Sequence, residues 1–223
     1  MISVIVRTRD EEQLLHRCLR AVLLQEHVCA EVIVVDNDST DATVDIARSL
    51  GVTVAAIGRD EFSYGRALNR GIELCSGELI CCLSGHCVPE NPNWLFWLAT
   101  NFLESDVAGV YGRQMPVQST HALDKRDLWT LFGPERRIQT QDPFFHNANS
   151  MIRRSMWEKV PFDEEINGLE DRIWARRVQS LGYKVVYEPR GGVYHPHGIN
   201  QTADPVRAER VVRVMEQNGL HRF

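Results

Sequence analysis

The first 83 residues alternate between two apolar rhythms. Short unbroken runs, Ile2-Ser3-Val4-Ile5-Val6, Glu31-Val32-Ile33-Val34-Val35, Val52-Thr53-Val54-Ala55-Ala56-Ile57 and residues 78–83, have the length and β-branched content of buried strands. The segments between them place apolar residues at helical spacing: Leu15, Cys18, Leu19 and Val22, then Val44, Ala47 and Leu50, then a helix over 65–75. Asp10 with Gln13 three residues later predicts a helix cap, and Gly51 predicts a helix stop. Continuous apolar strands separated by amphipathic helices predict a mostly parallel sheet covered on both faces. Ligands of such sheets lie beyond the carboxyl ends of the strands. That singles out residues 7–10, 36–41 and 84–87, all polar.

The second half is less regular. Helices are predicted over 93–103 and 123–132, and another carries Leu169, Ile173, Val178 and Leu181 and is closed by Gly182. Strands are predicted over 107–111 and 184–187, and a charged terminal helix over 203–217. Residues 113–149 read as loop-rich. No linker, repeat or low-complexity segment interrupts the chain, so residues 1–223 read as one α/β domain.

Charge narrows the partners. The 25 Lys and Arg against 30 Asp and Glu leave −5, without the basic excess of a nucleic-acid binder. No apolar run approaches the ~18–20 residues of a membrane span. The opening Met1-Ile2-Ser3-Val4 lacks the basic start and cleavage site of a signal peptide. The six cysteines, at 18, 29, 75, 81, 82 and 87, form no Cys-x-x-Cys pair and read as reduced core thiols. Together these features predict a cytoplasmic protein.

Three groups of residues could carry chemistry. Asp36 ends a buried strand, where a carboxylate can accept hydrogen bonds from a base or ribose; Asp38 and Ser39 follow it. Glu170 and Asp171 open a helix, which helix polarity favours and which also suits a general base. His86 and His195-Pro196-His197 follow strands and could share a divalent metal. The intervening proline keeps the backbone extended, so His195 and His197 should point opposite ways, with one ring facing the cleft. Arg7 ends a strand that otherwise reads as core and could meet a phosphate. Neither a Gly-x-Gly-x-x-Gly nor a P-loop is present, which argues against dinucleotide oxidoreduction and P-loop phosphoryl transfer.

In order along the chain, several of these segments resemble the family 2 glycosyltransferases, in particular a rhamnosyltransferase-like branch. They are residues 3–12, Val34-Val35-Asp36-Asn37-Asp38-Ser39-Thr40-Asp41, Asn69-Arg70-Gly71 through Gly77-Glu78, Asn147-Ala148-Asn149-Ser150, Pro161-Phe162-Asp163-Glu164, Glu170-Asp171 with Trp174, and His195-Pro196-His197. The resemblance implies a GT-A (Rossmann-like) domain, with residues 1–112 as the nucleotide-sugar-binding half and 113–223 as the acceptor and catalytic half. It implies inverting transfer of a sugar from a UDP-, dTDP-, GDP- or CMP-linked donor to a hydroxyl of a glycan or lipid-linked acceptor. That role suits polysaccharide or glycoconjugate synthesis, with peripheral membrane contact for a lipid-linked acceptor. Asp171 becomes the general base with Glu170 beside it, and Asp36 and Thr8 hold the base. Arg9, Glu11, Asp38, Ser39, Gly65, Arg66, Ser84, Gly85, Asn147 and Asn149 are expected around the donor.

The sequence departs from the family at the metal motif. Ser84-Gly85-His86 stands where the family has Asp-x-Asp, so both acids are gone. The charge of a diphosphate leaving group must still be neutralised. Mn²⁺ or Mg²⁺ on His86, His195 and His197 is one solution, although imidazoles suit Mg²⁺ poorly. Arginines without a metal are another. Two rival classes remain open on the sequence: a metal hydrolase using His86, His146, His195 and His197, and a non-catalytic sugar-nucleotide-binding domain.

Overall fold

The computed structural model describes residues 1–166, 168–198 and 205–220, apart from the side chain of Arg207. In chain order the elements are β1 (Ile2–Thr8), α1 (Leu15–Leu23), β2 (Ala30–Asp36), α2 (Thr43–Ser49), β3 (Thr53–Ala56), α3 (Tyr64–Glu73), β4 (Leu79–Ser84), β5 (Val88–Pro89) and α4 (Trp94–Thr100). They continue with β6 (Val107–Met115), α5 (Ala122–Leu131), β7 (Arg137–Gln139), β8 (Asn149–Arg153), α6 (Arg154–Lys159), α7 (Glu170–Ser180), β9 (Lys184–Tyr194) and α8 (Pro205–Gln217).

All nine strands join one sheet in the order β3-β2-β1-β4-β8-β6-β9-β5, with β7 also on β9. The β3-β2-β1-β4 half is parallel. The other half is mixed, because β8 runs antiparallel to both β4 and β6 whereas β6 and β9 are parallel. Strand side chains alternate between two cores, which is why the strands read as unbroken apolar runs. Ile5, Ile33, Val35, Ile80 and Cys82 pack with Leu68, Ile72 and Trp174. Val4, Val6, Val34, Cys81 and Leu83 pack with Leu15, Leu19, Trp94 and Leu98 on the other face.

The helix stops fall where the glycines placed them: Gly51 and Gly182 have φ of 71° and 87°. Asp10 does not cap a helix. It lies in a left-handed turn at φ 50°, and its carboxylate accepts the Thr40 N–H at 2.7 Å. Helix α1 starts only at Leu15, with no side-chain cap. The last strand runs well past residue 187, because residues 189–192 bulge out between Glu188 and Val193 and pairing then resumes. Residues 203 and 204 of the expected terminal helix lie outside the described residues; its remainder is α8. All six cysteines are free, five of them buried. No described helix is long and apolar enough to cross a membrane.

Candidate active site

A cleft of about 460 Å³ opens at the carboxyl ends of β1 and β4. Its floor is Arg7, Ser84, His86 and His195, one wall is Asn147 with Glu170 and Asp171, and Ala208, Val211 and Val212 of α8 lie across it.

The acid pair is built by backbone strain. Gly168 and Leu169 both take left-handed φ, 85° and 93°, to turn the chain into α7. For leucine this conformation costs about 1–3 kcal/mol. It brings two acids to a helix start whose N–H groups favour negative charge. The Asp171 carboxylate accepts the Asn147 and Arg172 N–H groups at 3.3 and 2.8 Å. Glu170, 3% exposed, accepts only a long bond, 3.4 Å, from the Asn147 amide. Burial, and then the neighbouring Asp171 charge, hold the Glu170 carboxyl well above the ordinary carboxylate range. Burial thus favours the protonated form of Glu170.

This has a pH consequence. A carboxyl raised on folding binds more protons in the native than in the unfolded state, so its contribution falls as pH rises above the unfolded value of about 4.3. Glu170→Gln is expected to raise the melting temperature at pH 8 and to have little effect at pH 4. An equal shift at both pH values would show that Glu170 is not held neutral.

The expected divergence of His195 and His197 is not found: positions two apart on an extended chain share a face, and their ring centroids lie 6.5 Å apart, edge to face. His195 is buried in the cleft, whereas His197 lines an adjoining groove with Glu11, Glu12 and Asp41. The His86 ring lies 5.0 Å from each of the other two, centroid to centroid, with Nδ1 2.5 Å from Glu11 Oε1 and Nε2 3.0 Å from His195 Nε2. Among the described residues, the donor atoms that converge are those of His86, His195 and Cys87; His197 is not one of them. Burial, and then the facing histidines, depress the His195 pKa far below its ordinary value, which leaves its ring neutral. Imidazole donors with no carboxylate in the converging set fit Mn²⁺ or a later first-row ion but not Mg²⁺.

The expected donor residues divide into two sets. Asp36 is buried at the end of β2, and its two carboxylate oxygens accept the Ser39 N–H and hydroxyl at 3.0 and 2.5 Å. Each oxygen keeps a lone pair, but Ser39 spends its hydroxyl proton there. Thr8 is buried with an unpartnered hydroxyl, against Gly85, where a Cβ would stand 2.8 Å from Thr8 Oγ1. Arg7 stacks over the Tyr64 ring at 4.9 Å, and its Nε has no partner.

Other residues are spent on the scaffold. Asp38 pairs with Arg59 at 3.1 Å, and Arg9 lies 3.7 Å from Asp10. Gly65 is a packing position: a Cβ there would meet the Asp163 carbonyl oxygen at 2.0 Å. Arg66 is tied to Glu164 at 3.1 Å and to the Glu61 carbonyl at 2.7 Å, outside the cleft. Asn149 is wholly buried and cross-links three elements, accepting from Trp94 Nε1 and donating to the Arg113 and Gly191 carbonyls. Sequence reasoning missed Tyr64, Leu169 and the α8 residues of the cleft. A non-glycine left-handed position carries no sequence signal, and α8 reads only as a charged helix.

Residues 3–160 match the family described as "Glycosyl transferase family 2". The O-antigen chain rhamnosyltransferase WbaN of Salmonella anatum is 27% identical over 179 residues, which is 75% of this chain and 57% of that protein. A Nostoc sp. glycosyltransferase is 31% identical over 239 aligned residues, 98% of this chain and 72% of that one. The mannosyltransferase PcManGT from Pyrobaculum calidifontis, solved with GDP-Man and Mn²⁺, superposes with a TM-score of 0.74 at 20% identity, over 97% of this chain and 63% of that one. The chain thus spans less than two thirds of the rhamnosyltransferase and of the mannosyltransferase. The superposition shows the fold to be GT-A. With the family match running through both strands that floor the cleft, the chain belongs to glycosyltransferase family 2.

Proposed function

We propose that the protein transfers a sugar, with inversion, from a nucleotide-sugar donor to a hydroxyl of a glycan or lipid-linked acceptor. The observation that carries this is one cleft joining a buried acid pair to an arginine and two facing imidazoles at the carboxyl ends of β1 and β4. The acceptor oxygen forms a bond to the anomeric carbon as the bond to the donor phosphate breaks. The hydroxyl proton passes to Asp171, and the bonding pair leaves with the nucleotide. Asp171 suits this role because its carboxylate lines the cleft and is fixed by two backbone N–H groups, while burial favours the protonated form of its neighbour Glu170. Arg7, whose guanidinium is fixed over Tyr64 with Nε unpartnered, would meet the leaving phosphate. His86 and His195 would hold a divalent ion, which when bound supplies further positive charge against that phosphate. PcManGT carries Mn²⁺ with its donor, which supports this role. A hydrolase built on four histidines is disfavoured by the placement of His197 outside the converging set.

The similarity to an O-antigen rhamnosyltransferase supports a part in surface polysaccharide synthesis, on the cytoplasmic side of a membrane that carries the acceptor. The test is a thermal-shift screen of UDP-, dTDP-, GDP- and CMP-sugars. A donor at 100 times its Kd should add about 2.7 kcal/mol of stability. Asp36→Ala should weaken the selected nucleotide at least about tenfold, the scale of one charge-assisted hydrogen bond. Ser39→Ala, which frees the carboxylate, should not weaken it. Equal affinity of Asp36→Ala and the parent in calorimetry would remove Asp36 from the donor site.

A further inference from the structure

The hydrogen bonds around the His86–His195 pair leave one position open. A carboxylate only accepts, so at the Glu11 contact a proton is on His86 Nδ1, and Nε2 is the nitrogen left to meet a further partner. His195 Nδ1 lies 2.7 Å from Gln114 Oε1, again an acceptor, so His195 Nε2 is left in the same way. The two nitrogens meet at 3.0 Å in rings whose planes are parallel to within 6°. Two nitrogens at that separation need a proton or a metal ion shared between them, because bare lone pairs would repel. An acceptor behind each Nδ1 is also the arrangement that orients metal-bound imidazoles. The nearest further donor is the Cys87 sulfur, within 4.8 Å of both, and no carboxylate oxygen joins the set.

Resting on the donor-site reading of this cleft, we infer that His86 and His195 form a two-imidazole seat for a borderline first-row transition ion. Glu11 and Gln114 are its positioning residues, holding both rings with Nε2 free. The seat rejects Mg²⁺, which needs oxygen donors, and its affinity rises from Mn²⁺ through Co²⁺ to Zn²⁺, apart from any shape preference. The rival occupant is a proton. If the Gln114 amide is turned over, its Nε2, which otherwise lacks a partner, donates to His195 Nδ1, and His195 then donates to His86.

The two occupants are separated by titrating the chain with Co²⁺ and Zn²⁺, reading heat and the ligand-field absorption of Co²⁺. We expect one equivalent, retained in a large excess of Mg²⁺ and lost in His86→Ala. Glu11→Gln and Gln114→Leu should each weaken it about 10–100-fold, the usual cost of losing such an orienting partner. His197→Ala should bind as the parent does. Circular dichroism confirms that each variant is folded. Absence of saturable uptake, displacement by Mg²⁺, or uptake indifferent to His86→Ala overturns the seat and leaves the proton. Nucleotide-sugar binding in chelator, measured on the same samples, keeps the two readings apart. Binding without metal uptake overturns the seat alone, whereas loss of both overturns the donor site as well.

Discussion

Asp171→Asn is expected to lower glycosyl transfer by about 10²–10⁴-fold, the usual contribution of a general base, with donor affinity nearly unchanged. The amide keeps the shape of the carboxylate and its acceptor oxygen toward the Asn147 or Arg172 N–H, but cannot take a proton. An alcohol has a pKa far above neutrality, so attack without a base must generate a far less stable species. Glu170→Gln is the informative partner. A residue that already holds a proton loses little chemistry on becoming an amide, so that variant should keep most of its turnover. If Glu170→Gln is dead and Asp171→Asn is active, the roles are reversed. If both are active, the base lies elsewhere.

The second large effect is on stability. Asn149→Ala should cost about 2–4 kcal/mol, read as a lower urea midpoint, while the folded fraction binds donor as the parent does. The Asn149 side chain satisfies the Trp94 indole N–H and the Arg113 and Gly191 carbonyls inside the protein. Each buried group left without a partner costs about 1–3 kcal/mol, with partial relaxation reducing the sum. The outcome decides between two roles for one residue. A normal midpoint with weakened donor binding would return Asn149 to the cleft, where its place in the sequence motif put it.

That residue illustrates where the sequence was legible and where it was not. The parallel half was readable because period and burial coincide: β1, β2 and β4 are buried on both faces and therefore unbroken. Strand β8 was not, because Asn149, Ser150 and Arg153 break its apolar run, and the polar atoms of Asn149 and Arg153 are satisfied by partners distant in sequence. The 189–192 bulge hid the second half of β9, since Pro189, Gly191 and Gly192 read locally as a turn. At the site, position along the chain located Asp171 and His195, because both sit at element ends. It could not say that Arg66 points to Glu164 or that Asp38 is claimed by Arg59, since charged side chains reach several partners and only the fold chooses one. Gln114 was invisible for the complementary reason: a lone glutamine in a strand has no pattern, and its meaning comes from the His195 ring behind it.

Strand β8 has one more consequence. Because it pairs with β4 on one side and β6 on the other, the parallel and the mixed halves of the sheet are welded into one continuous ladder rather than joined by a hinge. Opening the cleft by swinging one half from the other would tear backbone hydrogen bonds across the middle of the sheet. Adaptability must therefore sit in what is bolted onto this rigid chassis: the 116–148 connection and the helix lying over the cleft. Such a layout separates what can drift from what cannot. The platform that holds the nucleotide keeps its register, while the covering pieces can be exchanged to accept a different sugar chain without disturbing the chemistry beneath.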